Sequence, residues 1–126
     1  MLLAGVLLAM CFSAVPRPAQ AQSIEGRLLV QSSPLAGFRH YRAQALWADM
    51  RIGDPLDLKR EPANAYDTNA VRVEWQGNML GYVPRAQNEA VARQLDHGTP
   101  LQARISKIIK SRAPNKRIEF EVYAPL

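Results

Sequence analysis

Residues 71–83 read Val-Arg-Val-Glu-Trp-Gln-Gly-Asn-Met-Leu-Gly-Tyr-Val, and their order decides the fold class. Val71, Val73 and Trp75 fall on one face of an extended chain while Arg72 and Glu74 fall on the other, the period-two pattern of a half-buried strand. Gln76-Gly77-Asn78 follows, and because Gly and Asn tolerate positive φ it reads as a tight hairpin turn, with residues 79–83 as the returning strand. Ile118, Phe120 and Val122 alternate in the same way with Glu119 and Glu121.

Outward from this hairpin, residues 26–31, 38–46, 56–60 and 101–109 are further extended candidates, separated by short turns. A helix is expected from about Arg85 to Asp96, with Val91 and Leu95 four apart and Gly98 placed to end it. Many short strands and one or two short helices predict a mainly β domain, a small barrel or sandwich with the helix plugging an open end. Trp47, Trp75 and Phe120 are expected in or near its core.

The chain has 126 residues, 48% of them hydrophobic, and a net charge of +5, which suits one small globular domain and argues against a disordered chain. Residues 2–14 are almost wholly apolar, too few for a mature transmembrane helix but the length of a signal-peptide core. Ala19 and Ala21 bracket Gln20 as a small-residue cleavage site, so residues 1–21 are expected to be a signal peptide and residues 22–126 a periplasmic or secreted domain with no stable membrane span. No Lys or Arg precedes the apolar run, so an uncleaved anchor is the alternative. Cys11, the one cysteine, would leave with the leader, and with His40 and His97 it cannot make a clustered zinc site, so neither a metal nor another cofactor is expected.

Between residues 22 and 100 nine basic residues balance nine acidic ones. After residue 100, Arg104, Lys107, Lys110, Arg112, Lys116 and Arg117 face only Glu119 and Glu121, so the excess charge gathers near the last hairpin. Such a loop suits phosphate contact, and it equally suits a solubilising turn that blunts a sheet edge. No phosphate loop, nucleophile elbow or paired Ser/His or Cys/His arrangement is present, so a monomeric binding module is expected rather than an enzyme.

Three further elements occur in order: Gly37-Phe38-Arg39-His40-Tyr41, then residues 60–70 (Arg-Glu-Pro-Ala-Asn-Ala-Tyr-Asp-Thr-Asn-Ala), then Leu80-Gly81-Tyr82-Val83-Pro84. Pro62 keeps Glu61 extended, and Asn64, Asp67 and Asn69 can bond nearby amides to fix a compact turn. Tyr66 would then sit on a rigid loop, its ring packed inward or offered outward as a stacking face. Together the three elements closely resemble the HIRAN domain, a small β-rich module found alone in bacteria and at the amino terminus of certain helicases. The resemblance covers roughly residue 28 to the end and implies an OB-like barrel with a pocket for single-stranded DNA ends and their 3′ hydroxyl. It implies that Tyr66 stacks on a terminal base, Asp67 accepts from the sugar hydroxyl, Arg39 meets phosphate, Asn64 supports the loop and Tyr82 packs with its hydroxyl at the rim. His40 stands where DNA-binding members tend to have tyrosine. Lys110, Arg112, Lys116 and Arg117 complete the expected nucleic-acid surface. Export would instead favour an envelope protein, peptide or small ligand as partner for the same pocket.

Overall fold

Alternation along the strands produces the core: Val71, Val73, Trp75, Ile105, Ile118, Phe120 and Val122 are all buried, while the residues between them are half-buried or exposed. The computed structural model describes residues 26–110, 112 and 117–126. The strands are β1 (Arg27–Pro34), β2 (Pro55–Arg60), β3 (Val71–Trp75), β4 (Asn78–Tyr82), β5 (Gln102–Ile108) and β6 (Ile118–Pro125). They form one antiparallel sheet in the order β1-β6-β5-β2-β3-β4. β2 is the joint: Pro55 and Leu56 pair with β5, whereas Asp57–Arg60 pair with β3, so one strand serves both halves.

The sheet is OB-like but not closed by a strand pair. Its two ends meet at a single bridge, where Ala36 and Tyr82 exchange backbone bonds of 3.0 Å in each direction. Gly81 is what permits the approach, because a Cβ at that position would lie 2.1 Å from the Ala36 carbonyl oxygen. A bulge between Val73 and Glu74 on the β3–β4 ladder leaves Leu80 as the extra residue, and both Leu80 and Gly81 are buried.

The expected hairpin is present, with positive φ at Gln76 (48°) and Gly77 (78°) and Asn78 already in β4. Both central residues at positive φ match the right-handed twist of the flanking strands. The expected strand over residues 38–46 is a correction. Gly37, at φ +80°, turns the chain instead, the His40 amide bonds back to the Gly37 carbonyl, and a short helix α1 (Ala43–Leu46) and a 3-10 turn (Trp47–Asp49) follow. The physical sign is the missing alternation: Phe38 and Ala43 are buried with four exposed residues between them. The expected helix from Arg85 is shorter and in two pieces, a 3-10 turn (Arg85–Gln87) and α2 (Glu89–Asp96). α2 drives Val91 and Ala92 into the core and closes with the His97 and Gly98 amides on the Arg93 and Leu95 carbonyls. No helix among the described residues is long and apolar enough to cross a membrane. The signal peptide expected over residues 1–21 lies outside the described residues.

Candidate functional site

The 61–70 loop between β2 and β3 is held by its own side chains. Asn64 Oδ1 accepts from the Tyr66 amide (2.9 Å) and the Asp67 amide (3.1 Å), while its Nδ2 donates to Glu61 Oε1 (3.0 Å). Asp67 Oδ1 accepts from the Asn69 amide at 2.9 Å. These are Asx turns, in which a side-chain oxygen replaces a backbone carbonyl and the chain reverses without a regular element. The loop ends are tied by the Glu61 amide on the Ala70 carbonyl (3.0 Å) and the Ala70 amide on the Asp67 carbonyl (3.1 Å).

The consequence falls on Tyr66. Its backbone is pinned on the Asn64 side chain, and the residue is 88% exposed. Of the two orientations the sequence leaves open, the ring therefore stands outward. An exposed aromatic on a pinned backbone is a stacking face whose main chain is already ordered by folding, leaving two side-chain torsions to settle on contact.

Under the loop lies Tyr82. Its hydroxyl donates to Glu61 Oε1 at 2.8 Å, and Glu61 Oε2 lies 3.6 Å from Arg72 Nε. Burial first, and then the hydrogen bond to Glu61, push the Tyr82 phenol up to about 12. Tyr41 packs edge-on against Tyr82, ring centroids 5.7 Å apart, and its ring would collide with a Cβ on Gly37 at 3.0 Å. The Gly37-Phe38-Arg39-His40-Tyr41 element thus acts as a unit: Gly37 turns the chain, Phe38 enters the core, and Tyr41 covers Tyr82.

Asn64, Tyr66, Asp67 and Tyr82 converge on one cavity of about 410 Å³, joined there by Tyr41 and Arg85. A second cavity of about 390 Å³ lies on the other side of Tyr66 and Asp67 and reaches Asn88 and Glu89. Arg85 borders both cavities and is exposed, a cation that the sequence reading did not assign to the site. Its position directly after Tyr82-Val83-Pro84 is the signal that could have found it. Two ties fasten the loop region to α2: Asn88 Nδ2 donates to Asp67 Oδ2 at 2.7 Å, and Arg60 grips Asp96 through two bonds of 2.8 and 3.1 Å. The Arg60 bond holds the Asp96 carboxyl below its ordinary range.

The remaining expected residues lie elsewhere. Arg39 and His40 are exposed on the turn beside Tyr41, and the His40 ring meets Tyr41 edge-on at 6.4 Å. Lys110 and Arg112 are exposed at the end of the β5–β6 hairpin, and Lys116 lies outside the described residues. Arg117 carries its guanidinium over the Phe38 ring at 5.3 Å and the Trp47 ring at 5.9 Å. It therefore docks the hairpin onto the turn that carries Arg39. Among the described residues no cluster of three or more His, Cys, Asp or Glu is placed to hold a metal ion.

A family model described as the HIRAN domain matches residues 28–126. Two solved structures share the architecture. A protein from Lactobacillus plantarum is 26% identical with a TM-score of 0.68, the match covering 79% of this chain and 96% of that one. The HIRAN domain of human HLTF is 20% identical with a TM-score of 0.58, over 79% of this chain and 80% of that one. Among curated proteins none matches the chain.

Proposed function

Because this chain belongs to the HIRAN domain family, which is associated with nucleic-acid binding, we propose that it is a binding module for the 3′ ends of single-stranded DNA. The observation that carries the reading is Tyr66, an outward ring on a hydrogen-bonded stem with the Asp67 carboxylate beside it. In this reading the ring stacks on the terminal base, a contact every base can make through its π-face. Asp67 accepts from the 3′ hydroxyl, and Arg39 and Arg85 meet the phosphates that follow. Asn64 holds the loop, and Tyr82, with its hydroxyl committed to Glu61, supplies the cavity floor. His40 and Tyr41 present the adjoining aromatic edge. Lys110 and Arg112 add sequence-independent attraction at the hairpin end.

The test is a titration with three oligonucleotides of one sequence ending in a 3′ hydroxyl, a 3′ phosphate or a 3′ deoxy sugar. A carboxylate attracts a hydroxyl donor and repels a phosphate, so the hydroxyl end should bind tightest and Asp67→Ala should level all three. Equal affinity of the parent protein for the three ends would remove end recognition.

A second reading rests on the apolar run over residues 2–14, which favours export. In that reading the same cavity serves an envelope protein, peptide or small ligand, and the oligonucleotides do not bind at all.

A further inference from the structure

Asn88 occupies the residue before the first turn of α2, where an asparagine ordinarily turns its side-chain oxygen onto the helix's free amides. It makes no such cap. Its side chain is swung the other way and donates Nδ2 to Asp67 Oδ2 at 2.7 Å across 21 residues of sequence. Asn88 is 2% exposed, one of two buried polar residues among those described, the other being Ser33. A buried amide is costly unless its hydrogen bonds are made, so the site uses this one where an apolar residue would pack with less penalty.

The bond completes a frame around one carboxylate. The Asn69 amide holds Oδ1 from within the loop, and Asn88 holds Oδ2 from the α2 side. With both oxygens anchored, the Asp67 side chain cannot rotate without losing one of the two bonds. A carboxylate offers about four acceptor positions, so each oxygen keeps one for an incoming donor. Asp67 borders both cavities, and Asn88 borders the one that also holds Glu89 and Arg85. The 3-10 turn after Pro84 is what brings Arg85 and Asn88 to the same side of the loop, through the Gln87 amide on the Pro84 carbonyl at 2.8 Å.

We propose that Asn88 is a positioning residue that sets the rotamer of Asp67 for the ligand's hydroxyl, so that recognition of the strand end depends on α2 as well as on the loop. This rests on the end-binding reading above, and the test separates the two. Two variants are made in the full chain. Asn88→Leu removes the donor. Asn88→Asp sets a second carboxylate against Asp67 while keeping the shape of the side chain, so an isosteric variant remains even if the leucine variant fails to fold. Without any DNA, hydrogen exchange at the Asn69 amide should speed up by about tenfold in both variants, since its acceptor is no longer held. With DNA, the ratio of affinities for 3′-hydroxyl over 3′-phosphate oligonucleotides should fall about five- to tenfold, with helix content by circular dichroism unchanged in Asn88→Asp. Unchanged exchange at Asn69 in both variants, or an end preference that survives both, overturns the proposal. A parent protein with no end preference overturns the end-binding reading instead, and the Asn69 exchange rates then still decide whether Asn88 fixes the carboxylate.

Discussion

The 61–70 loop and the end of the β5–β6 hairpin carry the two halves of the candidate interface, and they are built by opposite means. In the loop, Glu61, Asn64 and Asp67 direct polar atoms onto the protein itself, and the one large side chain left outward is the Tyr66 ring. At the hairpin, the polar groups point outward as exposed Lys110 and Arg112, and Arg117 lies over two aromatic rings. A loop braced in this way can present a fixed shape and so tell one ligand end from another. Exposed cations raise affinity for any polyanion alike. Charge gathered at a hairpin end therefore marks the less selective half of such a surface, and the braced Asp67 carboxylate, beside a ring on which any base can stack, marks the more selective one.

The contrast can be broken most severely at Gly81. Gly81→Ala sets a Cβ against the Ala36 carbonyl, so the bridge that seats Tyr82 beneath the loop must open, and stability measured by urea unfolding should fall by about 1–3 kcal/mol. The same replacement at Gly53 on the protein surface meets no atom within 4 Å, and there only the φ of 91° is strained.

Glu61→Ala removes the acceptor shared by Tyr82 and Asn64, and leaving these donors without it should cost about 1–2 kcal/mol. It should also lower the Tyr82 phenol part of the way from about 12 toward its ordinary 10, because burial, the larger cause, remains. The sign in the parent follows from the raised value: folding favours the neutral phenol, so its contribution is complete below pH 10 and is lost as pH rises through about 12. Tyrosinate absorbance across that window reads both effects.

Arg117→Gln sharpens the hairpin half. Loss of the guanidinium from the faces of Phe38 and Trp47 should cost about 0.5–1 kcal/mol of stability, whereas Lys110→Gln should leave stability unchanged and reduce only the salt dependence of binding, by about 0.7 in the logarithmic slope. Asp96→Asn is the smallest effect. Asp96 is exposed and its carboxyl is depressed below 3.8 by Arg60, so the parent's advantage over the variant should be present above that value and vanish as pH falls through the lowered one. Thermal melts at pH 2 and pH 7 check it.

The strands were legible because their pattern is local: residues 71–75 and 118–122 alternate strictly, and 56–60 and 101–109 stand as short extended runs between turns, so pairing partners were not needed to find them. Residues 38–46 were misread because aromatic and apolar content suggested a strand, while the deciding feature is the turn at Gly37, closed by the His40 amide on the Gly37 carbonyl and marked in the sequence only by the missing alternation. The loop chemistry of Asn64 and Asp67 was legible from turn preferences, and the structure adds that Asp67 serves α2 as well. Asn88 was not found because its significance lies in which loop it reaches, and spacing along the chain does not encode that distance; Arg85 ends the 80–85 run and was left unassigned there. Arg117 reads as one more cation in the sequence, and only the fold shows the two rings beneath it.

The most direct measurement pairs stability with binding for Tyr66→Ala in one preparation. With Tyr66 88% exposed, removal of its ring should leave the unfolding free energy within about 0.5 kcal/mol of the parent. If the ring is the stacking face, the affinity for a 3′-hydroxyl single strand should fall by about 1–3 kcal/mol. A variant that binds the strand as tightly as the parent, at unchanged stability, would contradict the assignment of Tyr66 and the DNA-end reading built on it.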